Sequence, residues 1–183
     1  MSGLTRTAAI TGALALLTAC TGTSGTPRPA PTYPLPARRV RALETPVRAA
    51  PRTDGRVTFA VIGVRSRITY VVGSHGDQKS DLGQFVRVRL AVTNGYPTFH
   101  TLDLHKERLL TADGRAYGID ENATRIKRQP DTLDVGSGDR VELDLWFDVP
   151  GGTRARAVRL YGEPTDDLGV ALPTGPGVTV PLT

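Results

Sequence analysis

Arg140-Val-Glu-Leu-Asp-Leu-Trp-Phe-Asp-Val149 is a ten-residue run of alternating character. Val141, Leu143, Leu145, Phe147 and Val149 occupy alternate positions, with Arg140, Glu142, Asp144 and Asp148 between them. A period of two puts each set on its own side of an extended chain, so the run predicts a long strand with one buried face. Phe85-Val-Arg-Val-Arg-Leu-Ala-Val-Thr93 repeats the pattern: Val86, Val88, Leu90 and Val92 face one way, Arg87, Arg89 and Thr93 the other. Asn94-Gly95 ends that strand as a turn. If the two strands are neighbours, Arg87 and Arg89 lie across from Glu142 and Asp144 on the outer face, and a wrong register is penalised.

On either side of these runs, turn signals return every eight to fifteen residues and bound shorter runs. Residues 56–64 and 68–72 read as one opening strand or as a pair split at Arg65-Ser66-Arg67. Strands are also expected over 99–104, 108–111, 157–161, 169–172 and 178–181, with Asp113-Gly114 as a hairpin turn before Ala116 and Tyr117. Only 120–128 reads as helical, with acids at its start, bases at its end and Asp120 placed to cap it. Seven to nine short strands predict an all-β chain, an immunoglobulin-like antiparallel β-sandwich over 56–183.

Gly83-Gln-Phe-Val-Arg-Val-Arg-Leu-Ala-Val-Thr-Asn94, then Asp113-Gly114 with Tyr117, then Gly138-Asp-Arg-Val141 and Trp146-Phe-Asp-Val-Pro150 occur in a familiar order. Over roughly 56–163 they resemble the telokin-like, immunoglobulin-fold domain of unknown function found in Gram-positive, actinobacterial lipoproteins and in a secreted mycobacterial antigen. Val135-Gly-Ser-Gly138 stands where that family usually has a Pro-Gly turn. The resemblance implies a fold and an extracytoplasmic location. It carries over no catalytic residue.

The N-terminal region has a different character. Arg6 precedes a short apolar core over 8–17, and Leu17-Thr18-Ala19-Cys20 follows. The core is too short for a membrane span, which needs about 20 apolar residues, and reads as an export signal. The four-residue run resembles the bacterial lipobox, implying removal of 1–19 and diacylglyceryl attachment to the Cys20 thiol. Two acyl chains give lasting anchorage to a lipid bilayer at about 0.8 kcal/mol per buried methylene. Residues 20–55 hold seven of the fourteen prolines and show no apolar period. They are expected to form a disordered, extended tether, with the sandwich beginning at residue 56.

Charge and composition exclude several functions. Of the net +5, a surplus of four lies between 21 and 54, while residues from Arg56 onward hold 16 bases and 16 acids. A neutral folded part gives no reason to expect a nucleic-acid partner. With one Cys and one Met, at positions 20 and 1, the folded part has no disulfide, Cys-zinc or thiolate-copper site. No cofactor is expected.

Trp146 and Phe85 fall out of phase with their aliphatic neighbours and so point to the outer face with Arg87, Arg89, Glu142 and Asp144. Either a loop or the end of the tether covers them, or they form a partner-binding patch. Ser74 and His75 are adjacent, but side chains of neighbours in an extended chain point apart, which favours a solvated Gly-rich loop. His100, Asp103 and His105 suit zinc by type, yet 100 and 105 face opposite sides of a strand. Asp131 with Asp134, and Asp166 with Asp167, read as turn residues or loose calcium contacts. The expectation is a membrane-anchored, non-enzymatic binding or accessory module for an unknown protein or envelope polymer. The alternative is a loop-based hydrolase or metal-dependent envelope enzyme.

Overall fold

The computed structural model describes residues 40–165, 170, 172, 173 and 175–183. The sequence expectations for Leu17, Thr18, Ala19 and Cys20, for tether residues 20–39, and for Asp166 and Asp167 therefore lie outside the described residues.

Among the described residues, thirteen strands form two main antiparallel sheets and two small ladders. The first sheet is built on β3 (Val57–Ile68), β6 (Gly83–Asn94) and β11 (Arg140–Pro150), with β1 (Thr45–Pro46) and β2 (Arg52–Asp54) both laid along the free edge of β3. In the second sheet, β13 (Val178–Pro181), β12 (Ala155–Leu160), β8 (Arg108–Thr111) and β9 (Ala116–Tyr117) lie in that order. β7 (His100–Asp103) pairs with β10 (Thr132–Val135), and β4 (Tyr70–Val72) with β5 (Asp77–Lys79). The α-helix α1 (Glu121–Ile126) is capped by Asp120, whose carboxylate accepts from the Ala123 amide at 2.7 Å.

The two long alternating runs are neighbours, with Leu145 opposite Val88 and Phe147 opposite Val86. Their aliphatic faces meet the second sheet: Phe59, Val86, Val88, Leu90, Leu145 and Phe147 pack in one cluster with Leu109, Val158, Leu160 and Val180. Burying a side chain of this size is worth about 1.5–3 kcal/mol, and here both sheets supply such residues to one layer. The chain is an antiparallel β-sandwich, as the alternation predicts.

Three details differ from the sequence reading. The opening run is a pair of strands, β3 and β4, but the break falls at Thr69, while residues 65–67 lie inside β3, which bulges where Arg67 takes a φ of 59°. Of the strand expected over 169–172, Val170 and Leu172 are not in a strand, and 169 and 171 lie outside the described residues. Residues 40–54, which composition assigned to the tether, are part of the fold. The backbone from Thr45 to Asp54 runs antiparallel to β3 and turns into it at Gly55, whose φ is 59°. Pro46 and Pro51 are accommodated because an edge strand needs hydrogen bonds on one side only.

Candidate binding surfaces

The out-of-phase positions of β6 and β11 are where the first sheet turns its outer face to other parts of the chain. Phe85 and Trp146 are not exposed; their relative exposures are 0% and 3%. Their rings meet edge to face at 6.4 Å and form a second small core with Ile68, Val71 and Ala123, against which Ile126 packs. The helix that covers them is fastened to β11: the Asp120 amide donates to the Trp146 carbonyl at 2.7 Å, and the Asp144 amide to Gln129 Oε1 at 2.8 Å. Lys127 Nζ sits 5.9 Å from the indole centroid and donates to the Val72 carbonyl at 2.9 Å. The partner-binding patch built on these aromatics is thus corrected to an internal one, and covering by a loop is what occurs.

Beside that core lies a closed ionic network. A turn at Arg41, in which Leu43 adopts a φ of 67°, swings the Glu44 carboxylate onto the sheet. Arg87 Nη2 donates to Glu44 Oε1 at 2.6 Å, Arg89 Nη1 lies 3.9 Å from Oε2, and the Arg41 amide donates to Oε2 at 2.6 Å. Glu142 takes Arg89 on one oxygen and Arg140 on the other, each at 2.6 Å, and Asp144 takes Arg41 at 2.6 Å. Across the strands Arg89 stands opposite Asp144, but its ion pair is the diagonal one to Glu142. Arg87 stands opposite Trp146, with its guanidinium 5.7 Å from the indole centroid. The expected charges do converge, yet the chain consumes them itself. Glu44 went unnoticed because its role depends on a tertiary contact; the available signal was one acid followed by Val47 and Ala49 at strand spacing.

At one end of the sandwich, the tip between β4 and β5 reverses through a Gly73 amide to Gly76 carbonyl bond of 2.8 Å. A Cβ on Gly73 would stand 2.6 Å from the Ile126 carbonyl oxygen, so only glycine lets α1 approach so closely. The turn overturns the expectation that Ser74 and His75 point apart: Ser74 Oγ and His75 Nδ1 are 2.8 Å from each other. Arg128, held at a φ of 53°, donates to Ser74 Oγ at 2.8 Å. The pair opens on a cleft of about 330 Å³ that Asp77, Asn122 and Arg125 also line. Among the described residues, nothing hydrogen-bonds His75 Nε2, the position at which a third group orients the imidazole of a nucleophile–base arrangement.

The histidines expected as metal ligands separate. His100 is buried, stacked 4.6 Å from Tyr96, with Nε2 2.7 Å from the Gly162 carbonyl oxygen. Asp103 accepts from the His105 amide, and no group of three metal-ligating side chains occurs among the described residues. Asp131 accepts the Leu104 amide on its carbonyl, and Asp134 accepts from the Thr101 hydroxyl at 2.5 Å, both as local structure. Glu107 is a buried acid that the sequence did not single out. Its carboxylate faces the Tyr161 amide at 3.2–3.3 Å, and burial pushes its pKa well above the ordinary carboxylate value.

No family model matches the chain, and no curated protein matches it. Among solved structures it is similar to a conserved hypothetical protein from Bacillus anthracis, at 13% identity and a TM-score of 0.51, over 79% of this chain and 100% of that one. It is also similar to the yjhA protein from Bacillus subtilis, at 15% identity and a TM-score of 0.49, over 65% and 81% of the two chains. MPT63, a secreted protein from Mycobacterium tuberculosis, matches at 20% identity and a TM-score of 0.38, over 61% and 82%. At these identities the likeness is one of fold, and the Bacillus anthracis structure carries it: an antiparallel β-sandwich.

Proposed function

We propose that the chain is a lipid-anchored, extracytoplasmic binding module, held to the membrane at Cys20 and presenting the sandwich to a partner in the cell envelope. The observation that carries this reading is the placement of the chain's single Cys directly after an apolar export-type core, at the end of Leu17-Thr18-Ala19. The fold begins soon afterwards, with Glu44 pinned under the first sheet and β1 starting at Thr45. Residues 21–39 separate Cys20 from that fold and include Pro27, Pro29, Pro31, Pro34 and Pro36.

Replacing Cys20 with Ser should move the protein from the membrane fraction to the medium, and metabolic labelling with a fatty acid should disappear with it. Unchanged fractionation would end the anchoring assignment. The 2.8 Å contact between Ser74 and His75 supports a second reading, a loop-based hydrolase. A fluorophosphonate probe decides between them: labelling of wild type but not of Ser74→Ala favours the enzyme, and no labelling leaves the binding module.

A further inference from the structure

Arginine stands opposite arginine in both sheets; in the first, Arg65 of β3 faces Arg87 of β6, and Arg87 is neutralised there by Glu44. On the first, Arg41, Arg87, Arg89 and Arg140 each lie 2.6 Å from a carboxylate oxygen. On the second, Arg159 of β12 stands directly opposite Arg108 of β8, an arrangement that destabilises a sheet. Core residues Val158 and Leu109 form the adjacent pair and point inward, so both arginines point outward. Arg108 is partly satisfied by the carbonyls of His105 and Glu107. Arg159 has no ion-pair partner among the described residues, nor do Arg154 and Arg156 nearby. Among the described residues, Asp113 at the β8–β9 turn is an acid beside this sheet, and it is engaged by Thr111 and Arg115.

Arg156 and Arg159 border a groove of about 580 Å³ across β8, β12 and β13. Leu110, Ala157 and Pro181 make its floor, and Arg156, Arg159 and Thr179 stand along it. The bulge between Ala155 and Ala157 is what turns Arg156 toward this side. A guanidinium presents a planar fork of donors that matches phosphate bidentately. A concave face fits a chain lying in it better than a flat bilayer, and an apolar floor suits the carbon skeleton of such a chain.

We propose that the outer face of the second sheet binds a linear phosphodiester polymer, a polyol-phosphate chain of the envelope, through Arg156 and Arg159. This names the partner class for the binding-module reading and rests on it. The juxtaposition of Arg108 and Arg159 is the cost of a site that an anionic chain relieves when it binds.

The test uses residues 20–183 with Cys20→Ser, so that no acyl chain contributes. Binding of fluorescently labelled poly(glycerol phosphate) is followed by anisotropy, alongside Arg156→Gln/Arg159→Gln and the control Arg65→Gln on the first sheet. The expected result is binding that weakens steeply with salt and falls at least tenfold in the double variant, with the control unchanged. The double variant should also melt at a higher temperature than its parent, because the like-charge pair is gone. A purely structural role for these arginines would give neither the loss of binding nor the gain in stability. No binding by the parent, equal binding by the double variant, or tighter binding of polyglutamate, anionic phosphatidylglycerol vesicles or an oligonucleotide would overturn the proposal. None of those outcomes bears on Cys20, whose test is fractionation.

Discussion

Glu44 sits with its side chain fully shielded between Arg87 and Arg89, whose side chains are 10% and 14% exposed. Removing one member of such a network strands a charge away from water, which costs about 3–5 kcal/mol. Glu44→Ala should therefore destabilise the sandwich by that amount in urea unfolding, whereas Glu142→Ala, on a more exposed pair, should cost about 0.2–1 kcal/mol. Glu107 makes a different statement. Burial is the leading cause of its raised pKa, and the Tyr161 amide opposes that shift only in part. A carboxyl with a folded pKa above its unfolded one stabilises the fold below the unfolded value, near 4.5 here, and loses that contribution as pH rises through the folded value. Between pH 8 and pH 4, wild type should gain stability relative to Glu107→Gln, because the amide is neutral throughout. A pH-independent difference between the two would show that Glu107 does not carry this linkage.

At the scale of elements, α1 is short, and its position depends on what it covers. A six-residue helix is marginal alone, so the Asp120 cap and the Trp146–Phe85 core hold it in place. Asp120→Ala should cost about 1 kcal/mol. The chain's one tryptophan reports the result: emission of the wild type should be blue-shifted and resistant to acrylamide, and red-shifted in a variant with Ala123→Asp. Exposed emission from the wild type would contradict the packing. The sequence made much of this level legible. Alternation located both long strands, Asp113-Gly114 located the β8–β9 turn, and the charge order located α1 and its cap. It failed where local pattern is silent. β5 is short and polar, β10 has only four residues, and the meeting of Ser74 with His75 is made by a turn whose shape depends on α1. The phase error of Trp146 and Phe85 was itself a signal: an aromatic on the polar face of a strand marks a second layer, here a helix.

Across the whole molecule, the ends of the fold were the least legible, because composition and structure disagree over residues 40–54. Proline and arginine read as solvated tether, yet an edge strand tolerates both: it pairs on one side and faces solvent on the other. This strap performs three physical tasks. It pairs with β3 along Thr45–Pro46 and Arg52–Asp54, packs Val47 and Ala49 against the core, and delivers Glu44 to the two arginines. A chain beginning at Arg56, where the composition changes, loses all three. It leaves β3 with an unpaired edge of donors and acceptors, a ready template for another chain, and leaves Arg87 buried without its carboxylate. A chain beginning at Val40 should be monomeric and unfold cooperatively. The chain beginning at Arg56 should lose at least the about 3–5 kcal/mol expected for Glu44 alone and associate as its concentration rises. Equal melting temperatures and equal sedimentation for the two chains would show that the strap is only a spacer, and the boundary would return to residue 56.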